Sequence, residues 1–237
     1  MEGRVRIGGS RNFTLKCAVM IYTDTSTAFA TLHEVRVDGE GSAYLAPGRS
    51  LTTAFLRRLS QGLGTAAPTE VLPECVLMRT PDRIVWWASA QSRVMFFGGQ
   101  EKDARDLNGH LYPHPPLVFK VDGRELFVRA LAENARPGAE TQLKTAPYWN
   151  TDSRGSVCAG TMRIPDQMAA NSLSAWEDAY FGSEFTHPSG AVRLTKHRRG
   201  FVGLWKSLKD KGGTFPTGML TDAKETLFEF IESDKEF

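Results

Sequence analysis

The chain has 237 residues, with 29 Lys plus Arg against 27 Asp plus Glu and a formal net charge of +2. That length holds one medium domain, or one domain with an extension, and 41% apolar with 10% aromatic residues suffices for a sizeable core, which excludes a disordered tail and a small stapled scaffold. No apolar run approaches the ~18 residues of a membrane span, the basic start MEGRVRIGGSRNF has no apolar stretch behind it for a signal peptide, and the near-neutral charge lacks the strongly basic face of a nucleic-acid binder. The sequence therefore points to a cytoplasmic protein, with neither membrane nor nucleic acid as partner.

Phe13 to Tyr22 and Ala28 to Val37 are β-rich with partial alternation, and Asp38-Gly39 opens the next turn. Residues 1–46 thus read as strands. A helix is expected from Ser50, as its cap, to Leu63: Leu51, Phe55, Leu56, Leu59 and Leu63 share one face and Gly64 closes it. After the linker Thr65 to Thr69, three strand-like runs, Glu70 to Arg79, Arg83 to Ser89 and Arg93 to Phe97, joined by short turns, predict an antiparallel meander.

The polar stretch Gln100 to His110 leads into Leu111-Tyr112-Pro113-His114-Pro115-Pro116, where the prolines predict a stiff extended loop rather than a helix or central strand. Leu117 to Val121 and Glu125 to Leu131 flank Asp122-Gly123 as a hairpin. Ala132 to Thr145 reads as a polar loop, and Ser172 to Tyr180, Gly200 to Lys209 and Thr221 to Glu232 as helices. The contiguous Lys196, His197, Arg198 and Arg199 fit a solvated loop or helix start.

Cys17, Cys75 and Cys158 are odd in number and without the spacing of a zinc site. Cys17 and Cys75 fall in strands and read as small buried hydrophobes. Cys158 differs, because the irregular run Ala146-Pro147-Tyr148-Trp149-Asn150-Thr151-Asp152-Ser153-Arg154-Gly155-Ser156-Val157 delivers it beside Ala159 and Gly160, where a reaction partner meets little steric hindrance. His187, in Phe185-Thr186-His187-Pro188, is a candidate base for it or a hydrogen-bonded structural residue. His110 and His114 are four apart, but the prolines around them forbid the helix that would bring them to one metal, and no glycine-rich phosphate loop is present. No cofactor is expected.

Tyr112-Pro113-His114-Pro115-Pro116-Leu117-Val118-Phe119 resembles the proline loop and following strand of ubiquitin-conjugating enzymes, and Asn150, eight residues before Cys158 with Gly155-Ser156-Val157 between, resembles their active-site segment. The wording YPHPPLVFKV, APYWNTDSRGSVCAG and YFGSEFTHP is similar to prokaryotic ubiquitin-conjugating family D, also called PRTRC system protein B, of plasmid-associated clusters. Tyr148-Trp149-Asn150 stands where the wider family has His-Pro-Asn, and some thirty residues separate the prolines from Asn150.

The resemblance implies an α+β ubiquitin-conjugating-enzyme-like fold over residues 47–237, an antiparallel meander sheet flanked by helices, with residues 1–46 as an N-terminal β extension. It implies a ubiquitin-like protein carried as a thioester on Cys158 and passed to an amine, Asn150 donating to the thioester oxygen, and Asp152 orienting or deprotonating the amine, or merely capping its loop. Implied partners are the ubiquitin-like protein, a ThiF-like adenylating protein and a JAB-type metallopeptidase. Two other readings stay open: a catalytically silent binding module for a ubiquitin-like or ThiF-like partner, and a Cys158/His187 hydrolase.

Overall fold

The computed structural model describes residues 4–6, 12–24, 27–63, 70–98, 105–190 and 193–233. The chain divides into two compact units, 1–66 and 67–237. In the first, β1 (Arg4–Arg6) pairs with β2 (Asn12–Thr14), while β3 (Cys17–Thr23) pairs along its whole length with β4 (Ala28–Val37). The β-rich stretch expected over Phe13 to Tyr22 is therefore two strands in separate sheets, broken at Leu15-Lys16. β5 (Ala43–Leu45) pairs with the C-terminal end of β4 and β6 (Arg49–Ser50) with its middle, at Thr31 and Leu32.

The helix α1 (Thr53–Gly62) starts later than expected. Ser50 is committed to β6, and it is Thr52 whose hydroxyl accepts from the Phe55 amide at 3.2 Å. None of the helix's residues is buried. Gly64, the linker Thr65 to Thr69 and residues 100–104 of the Gln100-to-His110 stretch lie outside the described residues.

The second unit is built on a six-stranded antiparallel sheet. Its strands are β7 (Val76–Arg79), β8 (Arg83–Ala88), β11 (Leu117–Asp122), β12 (Glu125–Ala130), β13 (Gln142–Thr145) and β15 (Asp222–Thr226), adjacent in that order. β11 lies between β8 and β12 with residues 117–121 all buried, and the two-residue side-chain period sends them alternately to two cores. Leu117, Phe119 and Val121 join Trp86, Trp176 and Tyr180 on one face, Phe119 stacking on Trp86 at 5.1 Å. Val118 joins Val85, Leu131 and Leu143 on the other.

α2 (Leu173–Phe181) and α3 (Gly200–Leu208) contribute Trp176, Tyr180, Leu204 and Trp205 to the first core, and α4 (Leu227–Glu232) covers the second with Leu227 and Phe230. Each such side chain, fully buried, contributes about 1.5–3 kcal/mol. Lys120, buried in β11, reaches the end of α4 and donates to the carbonyl of Phe230 at 2.7 Å. Burial pushes its ammonium down to about 8.

Four sequence expectations change. β9 (Gln91–Phe97) does not continue the meander. It leaves β8 to pair with β10 (His110–His114) and, in parallel over two residues, with β14 (Glu184–Phe185). Pro113 lies inside β10, not in a loop, because β10 is the edge of that three-stranded sheet and a missing N–H is tolerated there. The polar stretch Ala132 to Thr145 ends in β13. Thr221 to Glu232 is half strand, since Asp222–Thr226 pairs with β13, and the helix begins only where the Thr226 hydroxyl accepts from the Glu229 amide at 3.2 Å and the Glu229 carboxylate returns to the Thr226 amide at 2.7 Å. What stands is an α+β unit of antiparallel sheets and a few helices, compatible with a ubiquitin-conjugating-enzyme-like fold.

Candidate functional site

The run Tyr148 to Cys158 starts in the core and ends at the surface. Tyr148 is fully buried, stacks on Phe185 and Trp205 at 5.7 Å, and shares a 2.8 Å hydrogen bond between its hydroxyl and Nδ1 of His114. Trp149 stacks on Phe201 of α3 at 4.6 Å. These anchors fix where the chain leaves the core. Asn150, buried, then adopts the left-handed conformation, φ 59°, which asparagine tolerates better than most non-glycine residues.

Asn150 joins two segments. Its carbonyl accepts from the Cys158 amide at 2.8 Å, and its own amide donates to the His187 carbonyl at 2.9 Å. The side chain completes the link: Nδ2 donates to the Glu184 carbonyl at 2.8 Å, while Oδ1 accepts from the Thr186 amide and hydroxyl, both at 3.1 Å, and from the His187 amide at 3.3 Å. The amide expected to reach a thioester oxygen is thus engaged in holding residues 184–187 beside Cys158.

Between Asn150 and Cys158 the chain folds into a turn organised by Asp152. One carboxylate oxygen accepts from the amides of Arg154 and Ser156, each at 2.9 Å, and the Gly155 amide donates to the Asp152 carbonyl at 3.1 Å. The turn rests on β12. Val128 donates to the Gly155 carbonyl at 2.8 Å and Val157 to that of Leu126 at 2.9 Å, while Arg129, 2% exposed, donates from Nη2 to the Ser153 carbonyl at 2.9 Å and from Nε to Glu225. Gly155 has φ +83°, and a Cβ there would lie 2.9 Å from the Val128 carbonyl oxygen and 3.2 Å from the Arg129 guanidinium carbon. Only glycine fits that close approach.

The result is an exposed Cys158 at the rim of an open hollow of about 710 Å³, lined also by Asp152, Ser153, His187, Pro188 and Ser189. Of the residues singled out in the sequence, Cys158, Asp152 and His187 face this hollow, and Asn150 lies behind it as their common support. Cys17 and Cys75 are partly buried. His114, paired with Tyr148, is driven by burial down to about 3 and is therefore a neutral core residue.

Sequence reasoning did not single out Arg129 or Thr186. A lone arginine inside the apolar run Leu126 to Leu131 was the available signal for the first, and the Thr186-His187 adjacency for the second. Among the described residues no cluster of His, Cys, Asp and Glu is arranged to hold a metal ion, and no helix is long and apolar enough to cross a membrane.

A family model described as prokaryotic E2 family D, a family of ubiquitin-conjugating-like proteins, matches residues 54–223, from α1 into β15. No curated protein matches the chain. No solved structure matches it either.

Proposed function

The chain belongs to prokaryotic E2 family D, and on that premise we propose that it carries a ubiquitin-like protein as a thioester on Cys158 and transfers it to an amine. The observation that supports this most is the exposed thiol of Cys158 on an open hollow, eight residues after Asn150 and tied to its carbonyl by a main-chain bond. A protein thioester is bulky, so its carrier needs a sulfur at a shallow surface rather than in a deep cleft. Ala159 and Gly160 leave the approach clear.

Loading exchanges the thioester of an activating enzyme, a ThiF-like adenylating protein in this reading, for one on Cys158. A JAB-type metallopeptidase would trim the modifier beforehand. In the second transfer Asp152, one of whose carboxylate oxygens is spent on its own turn, attracts and orients the incoming amine with the other, which exchanges its long 3.8 Å pair with the exposed Arg154 guanidinium for the amine. Asn150 acts as a positioning residue for Cys158 and the 184–187 segment.

The test is a charging reaction with the adenylating protein, ATP and the ubiquitin-like protein. A thiol-sensitive adduct on the wild-type chain, absent from Cys158→Ala, is expected; the same adduct on Cys158→Ala overturns the reading. That Cys158 and His187 line one hollow also suits a hydrolase, which would cleave a modifier thioester or peptide without ATP and lose that turnover in His187→Ala. A chain that binds the modifier but forms no adduct would be a docking module.

A further inference from the structure

Resting on the thioester reading, we infer that Thr186 is a positioning residue that fixes the tautomer of His187, leaving its Nε2 to take the proton from the acceptor amine during transfer from Cys158. Asn150 can be oriented in only one way, because its Oδ1 receives two backbone amides, Thr186 at 3.1 Å and His187 at 3.3 Å, and its Nδ2 faces the Glu184 carbonyl at 2.8 Å. The Thr186 hydroxyl, 3.1 Å from that same Oδ1, therefore meets a pure acceptor.

Its other neighbour is Nδ1 of His187 at 2.7 Å. A hydroxyl has one proton. Were it turned to Nδ1, two oxygens would face each other lone pair to lone pair at 3.1 Å; turned to Asn150, it relieves that contact and presents a lone pair to the ring. Nδ1 then carries the hydrogen and Nε2 the free pair. Nε2 has no partner among the described residues, and the ring lines the same hollow as Cys158.

The chain Asn150–Thr186–His187 is thus a base oriented by a hydroxyl that is itself oriented by a buried amide, the arrangement by which a proton acceptor is held ready. In the transfer, the amine nitrogen bonds to the thioester carbon, the carbon–sulfur bond breaks, and the amine proton passes to Nε2. The imidazolium returns that proton to the departing Cys158 sulfur. An amide and a free thiol result, with nothing else consumed.

Two measurements test this. Nitrogen-15 spectra of the His187 ring should show Nδ1 protonated and Nε2 unprotonated in the neutral wild-type ring, a pattern lost in Thr186→Val and kept in Thr186→Ser. Discharge of preformed Cys158 thioester to free lysine should slow about tenfold or more in Thr186→Val and recover in Thr186→Ser. A neutral wild-type ring protonated mainly on Nε2, or a folded Thr186→Val that keeps wild-type tautomer and discharge, overturns the assignment. If the wild-type chain cannot be charged at all, the thioester reading fails by itself, and the spectra still decide the role of Thr186.

Discussion

The guanidinium of Arg129 and the backbone of Gly155 are in direct apposition: a Cβ on Gly155 would stand 3.2 Å from both Cζ and Nη1 of Arg129. Through this contact and the bond from Nη2 to Ser153, the middle of the central sheet supports the turn that leads to Cys158. Replacing Gly155 by alanine forces a side chain into the left-handed region against the Val128 carbonyl, at a cost of about 1–3 kcal/mol. We expect a melting temperature lower by roughly 2–12 °C for Gly155→Ala by calorimetry. Arg129→Met should speed hydrogen exchange at the Gly155, Ser156 and Cys158 amides with less effect on the strands; uniform protection of those amides would argue against the support.

Asn150→Ala removes the acceptor of three donors from Thr186 and His187 at once. The three donors are part-buried, so water offsets some of the ~1–3 kcal/mol that a fully buried unsatisfied donor costs, and the variant should lose roughly 1 kcal/mol in denaturant unfolding. Proteolysis should begin near 184–190, the segment released. If Asn150 instead served only the thioester oxygen, Asn150→Ala would discharge slowly with unchanged stability.

His114 gives the fold a pH dependence whose sign is fixed. Burial holds its folded value at about 3 against an ordinary 6.5, so between those values the unfolded chain binds a proton that the folded chain does not. Stability is full above pH 6.5 and falls as pH drops through the window, by up to about 1.4 kcal/mol per pH unit. Chemical denaturation at several pH values between 7 and 4 should show this slope, and His114→Gln should flatten it. An unchanged slope would place the titration elsewhere.

Thiol alkylation should rank the cysteines. Cys158 is exposed, whereas Cys75 is partly buried and burial raises its thiol above the ordinary range, lowering its thiolate fraction. Peptide mapping after brief iodoacetamide treatment of the native chain should find Cys158 modified well before Cys75. The reverse order would mean that the hollow is closed in solution.

Strands whose apolar residues run on, such as Arg83–Ala88 and Leu117–Asp122, were legible because burial on both faces writes itself into the residue pattern. The irregular delivery of Cys158 was legible too, from a run of turn formers that no regular element could absorb. What escaped were features set by distant partners. Asp222–Thr226 is polar and carries no strand signal, yet β13 offers it an edge, and Pro113 is admitted to a strand only because no neighbour needs its missing N–H. The role of Asn150 in tying 184–187 to Cys158 depends on bonds spanning some thirty-five positions, which local spacing does not encode.

Cys158 is held in place by its amide and not by its sulfur, since the bond that fixes it runs from its backbone nitrogen to Asn150. The scaffold is therefore blind to the side chain it presents, and the group at this position can be exchanged without rebuilding the turn. On the proposed thioester reading, a lysine there would offer an amine where the thiol now stands, turning a transient acyl carrier into a permanent one and making the loaded form a species that can be isolated.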